Sequence, residues 1–391
     1  DPASGLSDFH GRRVAFALLD ALKQGEPRLA PTLVMRLRPG MNLEPESPNH
    51  DLLQAALGLA SRRLTPLFAF GDEPIMGGGK RLAPDRFGAP MAGRTIVASV
   101  AINLPRIAFL ARRDHQAFDA QLSQVLDLAG RHLAYRMHVL SQLRARELPL
   151  LMTQHHHAGA DGLGPNDALG FALRHGQLNV TFVGLAEALT LAFGEHHGQA
   201  AAAQERGIAV VRLMRDTVQA MAERHDLNMV LSAHASEEAA VRFAAGDRRD
   251  FGVLPGVTDK PAYTASFLLP SDFPTSRERR LAREGAYHRF CPGGNALLVD
   301  PAGLSPEGAM KAVQGMLAEG VGLLAFGHAL DLCLACGREH LDVSNERRAC
   351  GCGAKDLRRI GRPSVDLAFW DGLCPERQAE LLARRWDLSE R

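Results

Sequence analysis

Apolar positions along this chain switch between two periods, and the switches mark its elements. Phe118, Leu122, Val125, Leu126, Leu133, Met137 and Leu140 recur at helical spacing, which predicts a long amphipathic helix or two helices broken near Gly130. Residues 208–224 carry the same period, and a shorter helical start covers 12–22. Between these stretches lie short apolar runs at 32–35, 96–102, 180–183, 229–232, 296–299 and 321–326, each the length of a buried strand. A helix is predicted from Leu185. Another follows Ser305-Pro306-Glu307, where a capping hydroxyl, a first-turn proline and an acid at the positive dipole end stand together. Met310, Val313, Met316 and Leu317 form its apolar face, and Gly320 ends it. Strand and helix alternate, which predicts an α/β architecture without internal repeats.

The chain has 391 residues, 46% of them hydrophobic, enough for a sizeable core in one or two domains. The expected division is a main domain over 1–330 and a small C-terminal segment over 331–391. A net charge of +1 gives no footprint for a nucleic-acid polymer or an anionic membrane. No segment approaches the length of a membrane span. The chain starts at Asp1 without a preceding Met or a signal-like leader, so its natural N-terminus is expected upstream.

All six cysteines lie from Cys291 onward. Cys333 and Cys336 form a C-x2-C pair. After thirteen intervening residues, Cys350 and Cys352 form a C-x-C pair. Two close pairs across a hairpin-length insert suit a tetrahedral ion, each pair gripping two corners. Clustered cysteines in a chain with its own core point to thiolate-bound structural Zn2+ in a reducing, cytoplasmic compartment. Iron is the alternative ion, and four ordinary cysteines in a turn the bland one.

Residues 70–95 are rich in Gly and Pro and predict a long loop. Its Gly77-Gly78-Gly79-Lys80 run is not a phosphate loop: Pro74 replaces the first glycine and Arg81 the magnesium-binding hydroxyl. It reads as a loop tip. His155-His156-His157 reads as a polar surface loop, and Glu195-His196-His197 as a helix end whose imidazoles favour the dipole. Cys291-Pro292-Gly293-Gly294 reads as a tight turn whose backbone closely approaches a neighbour, substrate included; Cys291 is either a buried structural thiol or redox-active. Cys374 reads as incidental.

Several segments then combine: Ser99-Val100-Ala101-Ile102-Asn103-Leu104-Pro105-Arg106, Leu173-Arg174-His175-Gly176, Phe182-Val183-Gly184-Leu185-Ala186-Glu187, Leu254-Pro255-Gly256-Val257-Thr258-Asp259-Lys260, Tyr263-Thr264-Ala265-Ser266-Phe267, the Cys291 turn and the cysteine pairs. In this order and spacing, from about residue 32 to 370, the chain resembles the anaerobic (class III) ribonucleoside-triphosphate reductases. The resemblance implies a ten-stranded α/β barrel of two half-barrels, a glycyl-radical enzyme and a homodimer. An ATP-binding regulatory domain and the first barrel elements would precede Asp1. It further implies a radical-SAM activase that takes hydrogen from a C-terminal glycine. The radical passes to a loop cysteine, which removes the ribose 3′ hydrogen of a ribonucleoside triphosphate. The 2′-hydroxyl leaves as water, with electrons from formate or a thiol system.

Carried over residue by residue, the resemblance makes Cys333, Cys336, Cys350 and Cys352 the zinc ligands, with C-x-C in place of a second C-x-x-C. Asn103 matches an active-site amide near the ribose. Gly361 falls in the radical position within Arg358-Arg359-Ile360-Gly361-Arg362, where Arg362 replaces a tyrosine. The radical-loop cysteine is missing: Met76-Gly77-Gly78 stands in its place, and no cysteine precedes Cys291. Cys291 becomes the candidate sulfur if its turn faces the barrel centre. The alternative is a catalytically silent paralogue that keeps nucleotide or partner binding.

Overall fold

The structure, a computed structural model, describes residues 9–24, 32–71, 73–154, 156–234, 237–299, 305–327, 330–341, 349–363 and 365–383. In chain order its strands are β1 (Val34–Leu37), β2 (Leu67–Phe70), β3 (Ile96–Asn103), β4 (Gln177–Val183), β5 (Asn228–Leu231), β6 (Leu297–Val299), β7 (Leu323–Phe326), β8 (Leu330–Cys333), β9 (Glu339–Leu341), β10 (Leu357–Gly361) and β11 (Ala368–Phe369). The chain divides into two compact units: Asp1–Asp72 with Ser271–Gly285 and Ala296–Arg391, and Glu73–Pro270 with Ala286–Asn295.

The first unit holds two four-stranded sheets. One runs β1-β2-β7-β6, parallel within the pairs β1–β2 and β6–β7 and antiparallel where β2 meets β7. The apolar runs of β2 and β7 face each other through Phe68 and Phe326, edge to face at 6.0 Å. Leu53 and Leu57 of the helix His50–Arg63 join this core with Val313 and Met316 of the helix Pro306–Ala318. The expected Ser305 cap forms, its hydroxyl accepting from the Gly308 N–H at 3.1 Å. The second sheet, β11-β10-β8-β9, is antiparallel throughout.

The second unit is built on the parallel sheet β3-β4-β5. Its central strand β4 is buried along its whole length, as a strand covered on both faces should be. The helix His115–Ser141 is unbroken at Gly130. A Cβ there would stand 2.3 Å from Met221 Sδ, so the glycine admits the neighbouring helix Ala201–His225 instead of ending its own.

The mixed α/β class is as expected; the hydrogen-bond pattern gives sheets of four, four and three, none of them closed among the described residues. Closure requires two neighbours for every strand, and β1, β3, β5 and β6 each have one. His157 is buried rather than on the surface, its Nδ1 2.7 Å from the Ala158 carbonyl; His155 lies outside the described residues. His197 is fully buried and donates from Nε2 to the Phe267 carbonyl at 2.8 Å. The helix ends earlier, at Phe193.

Candidate functional site

Two turns bring the C-terminal cysteines together. β8 delivers Cys333, whose N–H donates to the Arg338 carbonyl while the Gly337 N–H returns to the Cys333 carbonyl at 2.9 Å. Gly337 and Gly353 adopt φ of 68° and 88°, which favours glycine at both tight reversals. Cys350 repeats the pattern with Ala354 and Gly353, at 2.8 Å each. The Cys333 and Cys352 sulfurs lie 3.7 Å apart and those of Cys336 and Cys350 3.5 Å apart. All four fall within 4.8 Å of one another. An ion held tetrahedrally at about 2.3 Å sets its sulfurs about 3.8 Å apart, whereas a disulfide needs about 2.05 Å. The donor set therefore fits a tetrahedral metal, and the C-x-C arm closes it as well as a C-x-x-C would. Electrostatics agree. Burial raises the Cys333 thiol, but the Cys336 and Ala335 amides together with the Cys336 and Cys350 side chains bring it to about 7. The Cys352 amide favours the Cys350 thiolate, but burial and the neighbouring sulfurs drive that thiol up to about 12. Four adjacent thiolates need a cation to coexist.

β10 runs from this centre. Its Arg359 pairs in register with Asp331 of β8, through Nε–Oδ1 at 2.9 Å and Nη2–Oδ2 at 3.0 Å, both side chains buried. Gly361 ends the strand, four residues and about 13 Å of extended chain beyond Leu357. It is buried and pairs with Ala368, so it is a strand glycine rather than the tip of a loop. A Cβ on it would meet Leu381 Cδ1 at 3.3 Å and the Trp370 ring at 3.6 Å. Arg362 is buried and donates to the Leu64 carbonyl; burial pulls its pKa down to about 10 against the pull of Asp366.

In the second unit, Asn103 sits at the C-terminal end of β3, the end where parallel α/β sheets place their sites. It caps the helix Leu104–Ala111, accepting from the Arg106 N–H at 3.2 Å, and donates to Asp247 Oδ2 at 2.9 Å. Arg106 Nε and Tyr263 OH donate to the same carboxylate at 2.6 and 2.8 Å. Burial, with Asp247 next, holds the Tyr263 hydroxyl protonated. Nearby, Glu187 accepts from the Thr264 N–H and hydroxyl at 2.9 and 2.6 Å, and burial raises its pKa. Sequence reasoning missed Asp247, Tyr263 and Glu187 as partners. Asp247 sits in an ordinary charged helix, and only the fold aims it at Asn103.

The Gly77–Gly79 loop forms a 3₁₀ turn with φ of 74° at Gly78 and 77° at Gly79. It rests on the Cys291 turn: Arg81 N–H donates to the Gly293 carbonyl at 3.0 Å, and a Cβ on Gly294 would stand 2.7 Å from Arg81 N and 2.8 Å from Gly79 O. The close approach expected of Pro292-Gly293-Gly294 is therefore made to this loop and to β5. Cys291 is buried, and burial raises its thiol. The four cysteines thus converge on the hairpin that carries Gly361, while Asn103 and Cys291 belong to the other unit.

This mixed α/β architecture is that of anaerobic ribonucleotide reductases and glycyl radical enzymes. It superposes on a solved anaerobic ribonucleotide reductase with a TM-score of 0.75 at 16% identity, over 94% of this chain and 56% of that one. A glycyl radical enzyme from Archaeoglobus fulgidus matches with a TM-score of 0.62 at 12% identity, over 95% of this chain and 54% of that one. In sequence, the anaerobic ribonucleoside-triphosphate reductase of Escherichia coli (strain K12) is 30% identical over 295 residues, 70% of this chain. The chain spans 40% of that relative's length. The family model for anaerobic ribonucleoside-triphosphate reductase matches residues 10–385, and the chain belongs to that family.

Proposed function

We propose that this chain serves the anaerobic reduction of ribonucleoside triphosphates to deoxyribonucleotides by radical chemistry. The observation that carries the reading is the four-thiolate cluster on the hairpin whose next strand ends at Gly361, within a chain matched to the reductase family from residue 10 to 385. In this reading the site residues keep the roles the resemblance implied. Gly361 stores the radical, because a Cα radical between two amides is delocalised and carries no side chain to react. Cys333, Cys336, Cys350 and Cys352 hold Zn2+, which when bound ties the two turns together and performs no redox chemistry. Asn103 presents its amide to the ribose, kept in place by Asp247. Cys291 is the candidate sulfur of the hydrogen transfer.

The reading extends to a ten-stranded barrel of two half-barrels over 1–330, with 331–391 as the zinc and glycyl segment. It also includes a homodimer in the cytoplasm and a radical-SAM activase as partner. No described helix is long and apolar enough to cross a membrane. A second reading, a silent paralogue, is favoured by one observation: the loop at Gly77–Gly79 carries no sulfur. The family match does not favour it over the first.

The test is anaerobic incubation with a competent activase, followed by electron paramagnetic resonance and assay of deoxynucleotide formation. A glycine-type doublet that vanishes in Gly361→Ala supports radical storage. Its absence from the wild-type protein under the same conditions rejects it.

A further inference from the structure

We propose that His340 donates a hydrogen bond to the Cys350 thiolate and so supports the C-x-C arm of the four-cysteine centre. The inference rests on the reading that these cysteines hold a divalent metal.

His340 lies on β9, opposite Asp331 of β8, and is half-buried. Its Nε2 is 3.3 Å from Cys350 Sγ. The four sulfurs lie within 4.8 Å of one another, and His340 falls outside that set. The ring therefore reaches Cys350 from outside the tetrahedron instead of offering a fifth corner. A metal-bound thiolate only accepts hydrogen bonds, so Nε2 must carry the hydrogen.

The two arms differ in length. The C-x2-C arm has two residues between its cysteines and the C-x-C arm has one, and the ring of His340 stands at hydrogen-bond distance from the buried sulfur of the shorter arm. Cys333 and Cys350 are the buried members, while Cys336 and Cys352 are exposed to water. Four thiolates on a divalent cation leave a net charge of about −2. At a buried sulfur that excess charge needs protein donors, and His340 is placed to supply one at Cys350. Donors of this kind outside the ligand set orient ligands and alter metal affinity.

The test uses the full chain purified anaerobically and loaded with Zn2+ or Co2+. His340→Phe removes the donor and keeps the ring's bulk; His340→Gln returns an amide N–H near the Nε2 position. Metal affinity, read by chelator competition, is expected to fall about tenfold in His340→Phe and to stay within about threefold of wild type in His340→Gln. The sulfur-to-cobalt charge-transfer band is expected to move to lower energy in His340→Phe alone, because an unbonded thiolate holds its electrons less tightly. Matching affinity and spectrum in His340→Phe and wild type overturn the inference and leave the metal centre standing. Equal losses in both variants overturn it too, since a bulk or packing role would then explain them. Wild-type protein that takes up neither ion overturns the metal reading together with the inference.

Discussion

Single glycines decide the local geometry around both groups of site residues. A methyl group on Gly361 would press on the flexible end of the Leu381 side chain at 3.3 Å, which need yield by only a few tenths of an ångström. Gly361→Ala is therefore expected to shift the urea midpoint little, so that loss of a radical signal in that variant would report chemistry and not unfolding. Gly294 is the opposite case, because backbone atoms of residues 79–81 occupy the place of its Cβ and its φ is 108°. Gly78→Cys would restore a sulfur to the loop, but at φ 74° it carries the left-handed penalty of about 1–2 kcal/mol, measurable by denaturant unfolding. His288 gives a pH prediction. Burial lowers its pKa from 6.5 to about 3, so the unfolded chain binds the proton more readily across that window. Its contribution to stability is complete above pH 6.5 and is lost as pH falls toward 3. The slope it adds is at most about 1.4 kcal/mol per pH unit. The fall in urea midpoint between pH 7.5 and 5 is expected to be shallower in His288→Phe.

At the scale of elements, β8 and β10 are held twice: by the cysteine centre at one end and by the Asp331–Arg359 pair along the ladder. Zinc analysis is expected to give about one ion per chain, and none in Cys333→Ser. Asp331→Ala leaves Arg359 charged and buried, which costs about 3–5 kcal/mol. The double variant with Arg359→Met is expected to recover much of that loss, as read by thermal denaturation. Failure to recover would mean that the pair does more than neutralise itself.

For the whole molecule, the division into two units makes a regional prediction. Stripping the metal with a chelator is expected to raise amide exchange in β8 and β10 and to leave the β3-β4-β5 sheet protected, because the thiolates bind only the former. Uniform deprotection in hydrogen-exchange mass spectrometry would contradict this. The match over residues 10–385 assigns the family.

Sequence alone determined what depends on neighbours along the chain. Helical periodicity located the helix His115–Ser141, apolar runs located β3, β4 and β7, and Ser305-Pro306-Glu307 located a helix start. Cysteine spacing foresaw the cluster, because each pair's geometry is set by two or three peptide units of local turn. Tertiary structure decided what depends on distant partners. It kept one helix continuous through Gly130 by placing Met221 against it, and it buried His157 and His197. It set Asp247 on Asn103 across 144 residues and His340 on Cys350 across an insert. Side chains on separate elements meet only once packing has oriented both, and no local period encodes that meeting.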